Sequence, residues 1–514
     1  MNMTKTNLQR TLTTVFILHF AIQVMGQVPS KDLDLTHGKF KVGFRNYTKD
    51  DNTRSYKRLS DWDNKVLARP ISISLWYPAE KISPNSKLKV KDYMTILKQE
   101  EEWESLPNER ILSWFYYTDN EKNRKQFEIE TKSYVNAQLT KGKFPVVIYA
   151  PSYQASSVEN FALCEFLASH GFIVISCPSR GTETRFLDGG TTRDIETQAR
   201  DIEFLIAEAT SLTYSDSDKL SVIGFSFGGI SNVLAQMRNE RIKALVCLDG
   251  SIKYQFQKLL SSSDANLSKV DVPFIFMSQK DIPLSVMIED KIDTTLNKNF
   301  SFFDSLKHSQ AYYLKFNDLT HAYFSSMGIL FQDRDPRQDK SDREITVAYQ
   351  WVCNYTMHFL NAFLKDDKTS FQFLDNDPIN NGVAPNLISL KAKKPVSQIM
   401  SFEDFNVLAR SQGYKDLEAL VKTLQTPDIS LQESKLNNLG LHLLFQGKVR
   451  EGINILSLNT ILYPNSANAF DSLAEGYFIQ GNKELAIKNF DVSLRLDSQN
   501  QNAIDRLKEL KSRN

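Results

Sequence analysis

The chain has 514 residues, 41% of them hydrophobic and 24% charged. At roughly 100–200 residues per domain, that length suggests about two to four domains with ordinary apolar cores. The 62 Lys and Arg balance 61 Asp and Glu to a net charge of +1, and with no basic tract present this excludes the concentrated positive surface that a nucleic-acid partner demands.

Residues 1–26 have the make-up of a secretory signal peptide. Lys5 and Arg10 give a positive start, Leu12 to Met25 is mainly apolar, and Val24-Met25-Gly26 ends in a small residue suited to cleavage before Gln27. The apolar run is short for a membrane span of ~20 residues, and no Cys follows it to take a lipid. The expectation is an exported protein, periplasmic or secreted, with no transmembrane span in the mature chain.

Residues 38–80 read as an antiparallel start. Lys39 to Phe44 alternates, and Ile71 to Tyr77 alternates strictly before Pro78, the pattern of strands with one buried face. Residues 90–143 interrupt as a charged, aromatic insertion. Trp103, Trp114, Phe115, Tyr116 and Tyr117 cluster there, either packing the insertion onto the body or forming a lid over a pocket. The run Glu100-Glu101-Glu102 reads as a solvated helix face.

From residue 144 to 365, short apolar runs alternate with helical patterns. Val146 to Tyr149, Phe172 to Cys177, Leu220 to Gly224, Ala244 to Leu248, Pro273 to Ser278 and Ala311 to Phe316 read as strands. Asn160 to His170, Ile195 to Glu208 and Ile345 to Lys365 read as helices. Such alternation indicates a mostly parallel sheet covered on both faces. Cys164, Cys177, Cys247 and Cys353 lack CxxC or metal-ligand spacing, and Cys177 and Cys247, in apolar strand-like runs, are expected to be buried free thiols.

Residues 366–400 carry Pro378, Pro385 and Pro395 and read as a linker. Residues 401–514 contain a repeat. A 34-residue shift lays Gly447 on Gly481, Leu439 on Leu473 and Asn468-Ala469 on Asn502-Ala503. That period and the matching positions Leu473, Ala474, Tyr477, Gly481, Ala486 and Phe490 resemble the tetratricopeptide repeat. Gly452 stands where that repeat has Ala, which predicts a looser first helix pair. The repeats are expected either to recruit a protein partner or to extend the fold.

The chemistry centres on Gly224-Phe225-Ser226-Phe227-Gly228-Gly229. A strand precedes it and a helical run follows, the context of a nucleophile elbow. The glycines let strand and helix approach closely, Ser226 is lifted above the sheet, and the Phe227 N–H faces a developing oxyanion. A serine hydroxyl needs a base. Of seven histidines, His19 lies in the signal, while His37, His170, His358 and His442 read as packing, capping or repeat residues. His308 precedes the last strand and His321 follows it. Sites in open parallel sheets gather at the carboxyl ends of strands, so His321 is the expected base. Asp249 and Asp281 both follow strands and are both candidates to hold the imidazole. The second oxyanion donor is expected near Tyr153, after the strand ending at Tyr149. No metal-ligand cluster such as HExxH is present, and the chemistry calls for no cofactor.

Lys143-Phe144-Pro145-Val146-Val147-Ile148-Tyr149, the run Leu167-Ala168-Ser169-His170-Gly171-Phe172-Ile173-Val174, the elbow, and Arg69-Pro70 with Leu75-Trp76-Tyr77-Pro78-Ala79 resemble platelet-activating-factor acetylhydrolases. Those enzymes sit in the dienelactone-hydrolase-like branch of the α/β-hydrolases. The resemblance implies an α/β-hydrolase domain over 30–365. It also implies that Asp249 is the triad acid and that the Phe227 and Tyr153 N–H groups form the oxyanion hole. The chain departs from the family in carrying Pro151-Ser152 where members have His-Gly, which suggests a Ser152 hydroxyl in the hole. The expected activity is hydrolysis of a small-molecule or lipid-like carboxylic ester through an acyl-enzyme. A peptidase or amidase of the same fold, and an inactive body serving a repeat-based binding protein, are the alternatives.

Overall fold

In the computed structural model the apolar runs become the strands of one mixed sheet. In chain order these are β1 (Lys41–Tyr56), β2 (Leu67–Lys81), β3 (Lys87–Lys89), β4 (Glu130–Val135), β5 (Gln138–Leu139), β6 (Phe144–Ala150), β7 (Ile173–Ser176), β8 (Ser215–Phe225), β9 (Ile242–Leu248), β10 (Phe274–Ser278), β11 (Ala311–Phe316) and β12 (Ile388–Lys393). The structure describes residues 33–59, 65–81, 83, 86–115, 117–331, 335–395, 401–424 and 431–512. The expected signal peptide, 1–26, and Tyr116 lie outside them. Among the described residues no helix is long and apolar enough to cross a membrane. The chain divides into two compact units, 1–395 and 396–514.

The strand order is β12-β11-β10-β9-β8-β6-β7-β2-β1-β4-β3, with β5 beside β2. The six strands from β11 to β7 pair in parallel. The β1/β2 hairpin joins β7 antiparallel, and β12 closes the other edge antiparallel to β11. Because β7 follows β6 on one side and β8 lies on the other, the chain reverses its winding between β6 and β8. A crevice opens outside their carboxyl ends at such a switch point.

Each inner strand is apolar on both faces because helices cover both. Val147, Tyr149, Ile223, Phe225, Val246 and Leu248 pack with α2 and α5 side chains on one face, α1 being Val90–Glu100, α2 Phe161–Ser169, α3 Thr192–Ser211, α4 Gly228–Arg238 and α5 Asp342–Lys365. Val146, Ile148, Val222, Leu245 and Cys247 pack with α3 and α4 on the other. The four cysteines are buried and free.

Three expectations change. Residues 368–393 are not a linker. They form α6 (Lys368–Asp375) and the edge strand β12, whose backbone pairs with β11 from Ala311 to Phe316. The prolines sit between these elements, Pro378 opening a short turn of helix and Pro385 preceding β12. The acidic run is not a solvated face either. Glu100 is buried on the Ser156 and Ser157 hydroxyls, Glu101 pairs with Arg180 and Arg185, and Glu102 takes the Tyr56 hydroxyl. In the second unit, helices begin at Glu433, Val449, Ala467 and Lys483, a 34-residue recurrence. There Gly452 tightens the first pair. A Cβ on it would lie 2.8 Å from the Gly440 carbonyl, and one on Gly440 2.5 Å from Leu456 Cγ, so both glycines serve close helix approach.

The hairpin is bolted to α3 by a buried ion cluster. Arg69 binds both Asp201 oxygens at 2.6 and 2.9 Å, and Arg54 joins Asp201 and Asp51 at 2.6 Å each. Arg69 also donates to the Arg180 and Gly181 carbonyls, which fixes the loop after β7.

Candidate active site

β8 ends at Phe225 and α4 starts at Gly228, so Ser226 must turn the chain within two residues. It does so at φ +52°, a left-handed conformation that costs a residue with a side chain about 1–3 kcal/mol. The surroundings hold it there. Its N–H donates to the Leu248 carbonyl at 3.1 Å, and its carbonyl accepts the Ser251 and Gly229 N–H groups at 2.7 and 3.0 Å. The turn leaves no room for side chains beside it. A Cβ on Gly224 would stand 2.2 Å from the Gly228 carbonyl, and one on Gly228 2.1 Å from that of Ala150.

His321 lies just after β11 and stands between Ser226 and Asp249. His321 Nε2 is 2.9 Å from Ser226 Oγ, and Nδ1 is 2.6 Å from Asp249 Oδ2. The Asp249 side chain has 0% exposure, whereas the imidazole keeps 38%. The second Asp249 oxygen is fully used, accepting the Tyr254 hydroxyl at 3.0 Å and the Gln279 N–H at 3.1 Å. These donors fix the carboxylate, and the carboxylate fixes the ring with Nδ1–H inward and Nε2 free to accept a proton. The Phe225 ring supports the imidazole at a centroid distance of 5.2 Å. Burial alone would lower the His321 pKa. The hydrogen bond and charge of Asp249, with the charge of Glu159, outweigh it and raise the group above its ordinary value.

Asp281, the other acid considered, is not brought here. Its side chain is 56% exposed and pairs with Lys315 at 3.0 Å. The other described histidines sit elsewhere. His170 bonds the Phe166 carbonyl at a helix end, His358 stacks on Phe373, and His442 lies against Gln446. His308 precedes β11 at its amino end.

The loop after β6 runs beside the elbow, with the Tyr153 ring 5.6 Å from that of Phe227. Among the described residues no protein acceptor takes the N–H of Phe227 or of Tyr153. Two unpaired main-chain donors beside a nucleophile can serve a developing oxyanion. Ser152 differs from expectation. Its hydroxyl and its N–H both donate to Glu159, the N–H at 2.9 Å, so the hydroxyl is spent on a carboxylate. Nothing in the sequence singled out Glu159, an isolated acid in a loop with no motif around it.

The insertion both packs and lines. Tyr93 and Met94 of α1 are buried in the core. Trp103, Trp114, Phe115 and Tyr117 instead wall a cavity of about 640 Å³ that Ser152, Tyr153 and Glu159 close from the body side. Its volume falls in the range typical of small-molecule sites, about 300–1,000 Å³.

Residues 131–384 match the family model described as PETase, PET hydrolase-like. That segment, just under half of the chain, is similar to PET hydrolase-like proteins and contains the parallel strands β6 to β11 of the α/β sheet. It holds Ser226, Asp249 and His321, and it runs past residue 365, the expected end of the body, through α6. The protein is accordingly a hydrolase of the carboxylesterase type. Among solved structures, the chain is similar to a ferulic acid esterase from Streptomyces cinnamoneus at 16% identity and a TM-score of 0.47, covering 71% of this chain and 98% of that one. A likeness at that level carries no argument about this chain's substrate. No curated protein matches the chain.

Proposed function

We propose that the protein is an exported serine esterase that cleaves carboxylic esters through an acyl-enzyme. Ser226 Oγ attacks the ester carbonyl while His321 Nε2 accepts its proton. Asp249 holds Nδ1–H and stabilises the imidazolium. The oxyanion settles on the Phe227 and Tyr153 N–H groups. His321 then returns the proton to the departing alcohol, and water repeats the sequence against the acyl-enzyme. The observation that carries this reading is the continuous hydrogen-bonded path from Ser226 through His321 to a fully buried Asp249, standing on a strained turn.

The PET hydrolase-like match supports ester bonds as the target. The resemblance to platelet-activating-factor acetylhydrolases adds phospholipid-type esters to the substrates worth trying. We read the export signal from residues 1–26. We read the second unit as a tetratricopeptide-like surface for a protein partner, on the strength of its 34-residue recurrence. The test is hydrolysis of short-acyl and long-acyl nitrophenyl esters by the chain from Gln27 onward and by Ser226→Ala. Activity in the first and its loss in the second support the esterase. A wild-type chain silent on both esters contradicts it.

A further inference from the structure

Glu159 is a carboxylate at the site with no work assigned by the triad. It sits between β6 and α2, and its side chain faces the cavity. One oxygen accepts the Ser152 N–H at 2.9 Å and, weakly, the Tyr149 hydroxyl at 3.4 Å, while the other accepts the Ser152 hydroxyl. Its carbonyl takes the Met327 N–H at 3.1 Å and the Ser326 hydroxyl at 3.3 Å. Next to it, Asn160 bonds the Phe324 carbonyl and the Ser326 N–H. This one segment therefore ties the loop carrying Tyr153 to the loop carrying His321.

Among the described residues no Lys or Arg forms an ion pair with Glu159. A desolvated carboxylate without a cation is costly, and such groups concentrate at functional sites. The Ser152 N–H can only donate and so requires an acceptor, whereas the Ser152 hydroxyl can donate or accept.

We propose, on the basis of the esterase reading, that Glu159 is a positioning residue of this site, setting through Ser152 the peptide that presents the Tyr153 N–H and supporting protonated His321 by its charge. The Ser152–Tyr153 peptide carries that N–H. Two bonds to Glu159 anchor Ser152, and among the described residues the Tyr153 N–H next to it meets no protein acceptor. The groups facing Glu159 are His321 from the loop after β11, Tyr149 from β6 and Tyr117 from the insertion, with Arg180, Arg185 and Glu101 lining the same cavity. Burial pushes the Glu159 carboxyl up to about 7, against the Ser152 bonds and the His321 charge that pull it down. Its negative charge in turn helps raise His321. The charge of each group therefore bears on the ionisation of the other.

The experiment is the pH profile of kcat/KM and of kcat for wild type, Glu159→Gln, Ser152→Ala and Ser226→Ala on one nitrophenyl ester. Glu159→Gln removes the charge that raises His321. Its acid limb should move to lower pH by roughly half a unit to one unit and follow a single ionisation. Its kcat should fall about tenfold or more, short of the ~10²–10³ lost on deleting an oxyanion donor outright. Ser152→Ala loses one anchoring bond and buries no new charge, so it gives a reading even if Glu159→Gln does not fold. It should lower kcat about threefold to tenfold with KM held, one net hydrogen bond of about 1 kcal/mol being worth that much. With Ser226→Ala inactive, a Glu159→Gln acid limb that coincides with wild type, or an unchanged kcat in Ser152→Ala, overturns the proposal. A Ser226→Ala protein that keeps activity removes the esterase reading and this proposal with it.

Discussion

Replacing Asp249 by Asn should abolish most activity without disturbing the fold, and the reason lies in the two donors on its far oxygen. The Tyr254 hydroxyl and the Gln279 N–H both point at Oδ1. A main-chain N–H cannot accept, so the amide oxygen must take that position and the NH2 must face His321. There it donates to Nδ1, which forces the proton onto Nε2, the atom that should receive one from Ser226 2.9 Å away. The tautomer is then wrong for a base. The same substitution in a serine protease triad costs about 10⁴ in kcat, equal to roughly 5 kcal/mol of barrier at 1.36 kcal/mol per decade. Asp281→Asn, at an exposed ion pair with Lys315, should leave kcat within about twofold, since such pairs contribute about 0–1 kcal/mol. Steady-state hydrolysis of a nitrophenyl ester reads both. An Asp249→Asn enzyme within tenfold of wild type, or an Asp281→Asn enzyme that collapses, refutes the reasoning.

Other outcomes follow from the same geometry. His321 must be neutral to act as base, and its pKa is raised, so kcat/KM should fall as pH drops and its acid limb should lie above the ordinary histidine value of about 6.5. The linked stability has the opposite sense. The raised group favours the folded protein below its unfolded pKa, and that contribution is lost as pH rises through the folded pKa, which melting curves across that window should show. Asp201→Ala strands the buried Arg69 guanidinium and leaves buried Arg54 with Asp51 alone. It should destabilise by about 3–5 kcal/mol in a denaturant titration, whereas Glu104→Ala, at the exposed Arg58 pair, should cost under about 1 kcal/mol. Gly224→Ala places a Cβ 2.2 Å from the Gly228 carbonyl, and it should yield insoluble or inactive protein rather than a graded loss.

The parts of the fold visible in the sequence are those set by local pattern. The parallel strands announce themselves because burial on both faces requires unbroken apolar runs, and β11 begins and ends at its expected residues. The elbow is legible because its glycines answer a steric demand within six residues. Most of β1, Arg45 to Tyr56, is illegible because it is polar, and only its partner β2 and the Arg54 ion cluster give it a strand to belong to. β12 was hidden behind prolines that turned out to sit in the turns around it. Charge was the least legible feature. Glu100, Glu101 and Glu102 look like solvated surface until the arginines and hydroxyls they meet arrive from residues 56, 156, 157, 180 and 185. Glu159 is the same case at the site itself. Sequence separates Asp249 from Asp281 only by resemblance, whereas the distances from His321 and Lys315 separate them directly.

The central claim is that Ser226 becomes acylated. The most direct measurement is rapid mixing of the chain from Gln27 onward with an activated nitrophenyl ester, followed by acid quench and peptide mass spectrometry. The account predicts a burst of nitrophenol stoichiometric with enzyme and an acyl adduct on the peptide containing Ser226, absent from Ser226→Ala and much reduced in His321→Ala. An adduct on another residue, or turnover with an unmodified Ser226 peptide at every quench time, would contradict it.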